Sequence, residues 1–159
     1  MIVKYIFTPT HQEYDFMTFL SELRQGCEGT EEVLAIRKEN IRNVKKLEQK
    51  NYKVQNLKDG SKFFGPEVDK NQFKSGFGKW EGANGEVFIG HFLDDMMTGQ
   101  GTLVSPDGDI YQGNFSNGCR NGQGKSYDRT GSKYDGEWVY DQMHGDGSLT
   151  FKDGSKYVG

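Results

Sequence analysis

The residues with the clearest chemical potential are the string Gly122-Gln123-Gly124-Lys125-Ser126, three histidines, two cysteines and several Asp-Gly pairs. The string shares its Gly, Lys and Ser with the end of a phosphate-binding loop, where backbone N–H groups and a lysine cradle phosphate ahead of a helix. That loop needs Gly five residues before Gly124, and position 119 is Cys. Its glycines also recur periodically in a way that predicts a strand, not a helix. Asp107-Gly108 and Asp153-Gly154 lack the alternating oxygen ligands and distal Glu of a calcium loop and read as turns. His11, His91 and His144 have no Cys or His partner at metal spacing, and Cys27 and Cys119 make neither a framework nor a zinc pattern. Asp94-Asp95 falls in a predicted turn and reads as solvated. No Ser, Cys and His set carries a nucleophile-and-base motif. The chain reads as non-catalytic, with no metal and no cofactor.

The elements that carry these residues follow from composition. Of 159 residues, 22 are Gly and 21 are Phe, Tyr or Trp, while Ala occurs only at positions 35 and 83. Gly is at roughly twice its usual share of about 7%, and so little Ala argues against a helical bundle. No stretch approaches the roughly 18 apolar residues of a membrane span. The opening MIVKYIF lacks the small-residue cleavage site of a signal peptide. Two distant cysteines make a reducing, intracellular compartment the expectation. The formal charge of −3 conceals three parts: residues 1–36 carry −4, residues 37–79 carry +7 and residues 80–159 carry −6.

Twenty of the glycines lie in residues 60–159, where the sequence repeats itself. Glu86-Val87-Phe88-Ile89-Gly90 returns as Asp109-Ile110-Tyr111-Gln112-Gly113, as Ser132-Lys133-Tyr134-Asp135-Gly136 and as Ser155-Lys156-Tyr157-Val158-Gly159, each 23 residues on. Phe92, Phe115 and Trp138 keep the period, as do the Gly99, Gly101 and Gly108 columns. A degenerate copy starts at Lys58 and runs two residues long before Gly76-Phe77-Gly78 rejoins the frame. Within a unit, Tyr111 and Phe115 share one strand face because side chains repeat every two residues. Asn117-Gly118 is a hairpin signal, since both positions favour φ > 0. Each unit is therefore a predicted β-hairpin, and successive hairpins make an antiparallel meander. Gly columns without a Cβ let neighbours approach closely, and the aromatic columns stack as ladders.

Tyr134-Asp135-Gly136-Glu137-Trp138, Asn117-Gly118 and His144-Gly145-Asp146-Gly147 resemble the first strand, the turn and the second-strand start of the MORN repeat (membrane occupation and recognition nexus). The resemblance covers about two-thirds of the chain. Departures are Phe for Trp at 92 and 115, Asp95 and Asp141 in place of the turn Gly, and Tyr127 displaced by one. His144 sits where that family often has His, which implies a structural role. The fold class expected is mainly β: an elongated meander of hairpin repeats, with an N-terminal strand and two helices capping it. Residues 58–159 form the array, divided as 58–85, 86–108, 109–131, 132–154 and a closing half-strand 155–159.

Residues 1–57 read as a strand over 2–7, an amphipathic helix over 12–24, and a second helix from an N-cap at Thr30 to about residue 55. The apolar stripe of the second helix is Val33, Leu34, Ile36, Ile41, Val44 and Leu47. Its other faces are basic, with Arg42, Lys45, Lys46, Lys50 and Lys53 the candidate contacts for an acidic partner or anionic lipid. The leading reading of the helix is nonetheless that its stripe packs on the open end or face of the sheet, a role that can coexist with binding, and a coiled coil is the remaining alternative.

The resemblance implies a binding and scaffolding module. Its partner groove would be lined by Phe88, Phe92, Tyr111, Phe115, Tyr134, Trp138 and Tyr157, with a helix or peptide as occupant. Similar arrays occur in cytoskeletal and ciliary assemblies, at membrane junctions and as motor adaptors, which implies a cytoplasmic or membrane-peripheral location. A phosphoinositide surface touched by the basic helix is one alternative, and a regulatory segment of a lipid kinase or lysine methyltransferase is another. Nucleic acid is disfavoured because a net −6 array repels phosphate. The oligomeric state stays open.

Overall fold

The computed structural model describes residues 31–159. The expected strand at 2–7, the helix at 12–24, the N-cap at Thr30, His11 and Cys27 lie outside the described residues. Among those described, one helix, α1 (Glu31–Gln49), precedes ten strands: β1 (Val54–Asn56), β2 (Lys62–Phe64), β3 (Gly76–Glu81), β4 (Val87–Leu93), β5 (Met96–Val104), β6 (Ile110–Ser116), β7 (Cys119–Tyr127), β8 (Lys133–Val139), β9 (Gln142–Thr150) and β10 (Lys156–Val158). All ten form one antiparallel sheet in which each strand pairs only with its sequence neighbours. The meander of hairpins is as expected, whereas two capping helices are not found: the described residues hold one.

That helix is shorter than the periodicity suggested. It ends at Gln49 rather than near residue 55, and the chain reverses through Asn51 at φ 56°. Val54–Asn56 then pairs with Lys62–Phe64 as the first strand of the sheet. The apolar stripe had already thinned beyond Lys50, so ladder hydrogen bonds win over a helical extension that would bury nothing.

Two kinds of turn alternate along the meander. Inside each repeat, a two-residue turn has both residues at positive φ: Asp94-Asp95, Asn117-Gly118 and Tyr140-Asp141. The twist of such turns matches that of the strands they join, and the geometry survives at the two places where Asp replaces Gly. Between repeats, a three-residue loop closes on a glycine at positive φ, as where Gly108 (φ 93°) donates its N–H to the Ser105 carbonyl. The pairing of β4 with β5, of β6 with β7 and of β8 with β9 also shifts once, just beyond a Gly pair, where the second strand carries Gly99, Gly122 or Gly145 at positive φ. These are β-bulges, and they increase local twist.

Side-chain alternation then gives the sheet two apolar faces. On one, Val87, Ile89, Val104, Ile110, Phe64 and Tyr127 pack under Val33, Ile36, Val44 and Leu47 of α1. Full burial of each such aliphatic side chain is worth about 1.5–3 kcal/mol. Asn40, not Ile41, fills the middle of the buried stripe, and Leu34 is left exposed. The helix covers only the early repeats, and the sequence columns show why: Val87 and Ile110 give way to Lys133 and Lys156 at the same repeat position. Glu32 closes the helix onto the first of these lysines at 2.7 Å, and the Tyr127 hydroxyl donates to Glu32 at 3.3 Å. No described helix is long and apolar enough to cross a membrane.

Candidate docking groove

The opposite face of the sheet carries the ring columns. Gly78, Gly90, Gly101, Gly113, Gly124, Gly136 and Gly147 pair in succession from strand to strand and form a side-chain-free trough. The rings lie in it. A Cβ at Gly101 would stand 2.5 Å from the Phe88 ring, so any larger residue there displaces the aromatic. Seven rings then zigzag along the ribbon: Phe63, Phe92, Phe88, Phe115, Tyr111, Trp138 and Tyr134, each meeting the next edge-to-face at centroid distances of 5.0–5.4 Å. Each such contact adds about 0.5–1.5 kcal/mol beyond burial.

The polar tips of these rings are turned inward. The Tyr111 hydroxyl donates to the Asn114 carbonyl at 2.9 Å, Tyr134 donates to the Glu137 carbonyl at 3.0 Å, and Trp138 Nε1 donates to the Gly124 carbonyl at 3.2 Å. Burial pushes the Tyr111 phenol up to about 12, and it raises that of Tyr134 as well.

Of the seven residues expected to line the partner groove, the structure brings Phe88, Phe92, Tyr111, Phe115, Tyr134 and Trp138 together in one cluster, each with less than a tenth of its surface exposed. They form the floor. Tyr157, on the last strand, is 66% exposed. The accessible walls come from the second strand of each hairpin, which the sequence reading did not single out. Trp80, Leu103 and Leu149 stand half-buried on one side, and half-buried Met97 and Arg120 with exposed Met143 on the other. These are two further columns at the 23-residue period, and their mixed chemistry hid them. Ser126 completes the first column in place of Tyr127, which is displaced by one and therefore faces α1. Between Leu103 and Leu149 on one side and Met97, Arg120 and Met143 on the other lies an open groove of about 890 Å³, floored by Tyr111, Tyr134 and Trp138.

The groove holds one cation in a fixed place. Arg120 lies 4.4 Å from the Trp138 ring centroid and 5.6 Å from that of Tyr111, and its Nε reaches the Asp141 carboxylate at 3.0 Å. Desolvation alone would raise the Asp141 carboxyl, but hydrogen bonds from the Arg120 backbone and side chain outweigh it and hold the group below the usual aspartate range. Lys74 repeats the arrangement near the start of the array, paired with Asp95 over the Phe92 and Trp80 rings. Asp95 is therefore ion-paired and not simply solvated, as a turn aspartate was expected to be.

The five basic candidates lie apart from the groove. Arg42, Lys45, Lys46 and Lys50 are exposed on or just beyond α1, which covers the other face of the sheet, and Lys53 follows in the link to β1. Lys50 lies over the Tyr52 ring at 5.9 Å. Among the described residues none of the five takes part in an ion pair. His144 and His91 stand opposite Glu137 and Phe77 in neighbouring strands. No group of three metal-ligating residues occurs among the described residues.

Comparison with known families agrees with the period read from the sequence. No curated protein matches the chain. The profile of the MORN repeat matches residues 88–110, 111–133 and 134–156, three consecutive units framed two residues later than the division at Glu86, Asp109 and Ser132. The hairpins that build the ring-floored groove are thus three consecutive MORN repeats, spanning residues 88–156 of the chain.

Proposed function

We propose that this chain is a non-catalytic scaffold or adaptor that holds a protein partner, a helix or a peptide, in the groove of the repeat sheet. The MORN repeat is in general a module for protein or membrane interaction. The observation that carries the reading here is the pairing of a buried aromatic floor with apolar side chains left accessible beside it, half-buried at Leu103, Leu149 and Met97 and exposed at Met143. Apolar side chains left accessible beside a groove in this way mark interaction sites, here interrupted by Ser126 and Arg120. The assembly is a cytoplasmic one, cytoskeletal, ciliary or membrane-associated. Comparative affinity capture tests the reading: wild-type protein retains a specific set of partners that Met143→Asp loses, while both share one melting curve. Identical capture by the two proteins would remove the groove from the function.

A second reading rests on the exposed cations of α1. Arg42, Lys45, Lys46, Lys50 and Lys53 give the face opposite the groove a charge that suits phosphoinositide headgroups, at up to about 1 kcal/mol per residue near an anionic surface. Reversing Lys45, Lys46 and Lys50 to Glu abolishes flotation with phosphoinositide vesicles at low salt if this surface acts. Absence of flotation for the wild-type protein would dismiss it.

A further inference from the structure

We infer that the occupant of the groove is a cationic amphipathic α-helix lying along the ribbon, across the strands; this rests on the reading of the groove as a docking site. The first argument is the use of its donors. An extended or polyproline peptide has no internal hydrogen bonds, and its backbone needs partners wherever it is buried. In this groove Tyr111, Tyr134 and Trp138 all spend their polar hydrogens on the sheet's own carbonyls, and the Trp80 indole N–H at its far end, though unpartnered, is buried out of reach. The ring faces that a proline-rich ligand would stack on are buried as well. A helix brings its backbone already satisfied and asks only for apolar contact.

Spacing supports the same occupant. Neighbouring repeats are two strands apart, about 9.6 Å. One heptad of α-helix advances about 10.5 Å, so a helix slightly inclined to the ribbon presents one face to each wall residue in turn. An extended strand covers that step in about three residues and presents opposite faces to successive repeats.

Charge selects the sign. Glu86, Asp109 and Asp128 line one rim of the groove, and its cation, Arg120, is already neutralised by Asp141. Residues 80–159 as a whole carry −6. The occupant is therefore apolar on the face toward Leu103, Met143 and Leu149, and carries Lys or Arg along its flanks.

Fluorescence anisotropy with the full chain tests this, using a labelled synthetic peptide of three heptads with Leu on one face and Lys on the others. Three control peptides accompany it: Glu for every Lys, Ser for every Leu, and a proline-rich peptide of equal positive charge. The cationic Leu peptide binds about tenfold or more tightly than the Glu version, with the difference shrinking at high salt, and the Ser and proline-rich peptides fail. Met143→Asp, at a half-exposed position, abolishes binding, and Glu86→Lys with Asp109→Lys weakens it about tenfold. Equal binding of the Lys and Glu peptides, still lost in Met143→Asp, overturns the charge selection and keeps the groove. Tight binding of the proline-rich peptide overturns the helix. Binding of the cationic peptide that survives Met143→Asp overturns the groove reading itself.

Discussion

Arg120 and Asp141 sit in neighbouring repeats and are tied by four hydrogen bonds. The Arg120 backbone N–H and Nε donate to the Asp141 carboxylate at 2.8 and 3.0 Å, its guanidinium also donates to the Asp141 carbonyl at 2.9 Å, and the Asp141 N–H returns to the Arg120 carbonyl at 3.1 Å. The backbone half of this clasp recurs one repeat earlier, from Gly118 to the Met97 carbonyl, and again from Asp95 to Lys74. The side chains follow the same pairing. A cation stands wherever the turn residue is Asp, and Met stands where it is Gly.

This coupling predicts unequal effects at one position. Asp141 occupies φ 66°, a conformation that costs a non-glycine residue about 1–3 kcal/mol. Asp141→Ala keeps that strain and loses the two carboxylate bonds of the clasp while retaining the two backbone ones, for a loss of about 1–2 kcal/mol. Asp141→Gly relieves the strain and stays within about 0.5 kcal/mol of wild type. In the Asp141→Gly background, Arg120→Met restores the Met97–Gly118 combination and costs less than it does alone. A double-mutant cycle by urea denaturation measures the coupling, and additivity would show that the two side chains act independently.

Removing a ring from the floor costs far more. Phe88→Ala and Trp138→Ala each destabilise by about 3–5 kcal/mol. Gly101→Ala, which adds a single methyl beneath the Phe88 ring, costs about 1–3 kcal/mol by overpacking. Thermal or urea unfolding checks all three. A neutral Gly101→Ala would mean that the trough is wider than the ring requires.

Tyrosine titration reads the floor directly. Tyr111 ionises near 12 in the folded protein, whereas an unfolded tyrosine ionises near pH 10. Above that pH the unfolded chain holds fewer protons, so stability falls as pH rises from about 10 towards 12. Ultraviolet difference spectroscopy should show late-titrating phenols whose amplitude falls by one tyrosine in Tyr111→Phe, Tyr134 remaining raised.

At the other end of the scale lies the helix clasp. The hydrogen bond from Lys133 holds the Glu32 carboxyl below its ordinary range. Such a contact stabilises above the unfolded carboxylate pKa and is lost as pH falls through the depressed folded value. Glu32 is half solvated, so Glu32→Gln lowers stability by no more than about 1 kcal/mol at neutral pH, and by nothing once the carboxylate is protonated. A larger loss at low pH would assign Glu32 another role.

Much of this architecture was legible because a period of 23 residues fixes many columns at once. The Phe88, Phe92 and Gly101 columns place the rings, the trough and the turns without reference to any coordinate. What escaped notice was what period and composition do not encode. The walls at Leu103, Arg120 and Met143 keep the spacing but not the chemistry, because each pairs with a different neighbour. The end of α1 depended on whether Val54–Asn56 found a strand partner, which is a tertiary matter. The ring columns were expected both to stack as a buried ladder and to line the groove, and the glycines beneath them settle the matter: the rings sink into the trough as its floor.

Because every strand pairs only with its neighbours in sequence, the sheet can assemble in the order in which it is synthesised. Each hairpin finds its partner within a few residues of itself, so loop-closure entropy is small at every step. The helix is the exception. It precedes the whole sheet, yet Glu32 meets a lysine 101 residues downstream. The helix is made before its sheet and fastened last: until Tyr127 emerges from the ribosome its apolar stripe has only part of its seat, and until Lys133 follows Glu32 has no clasp.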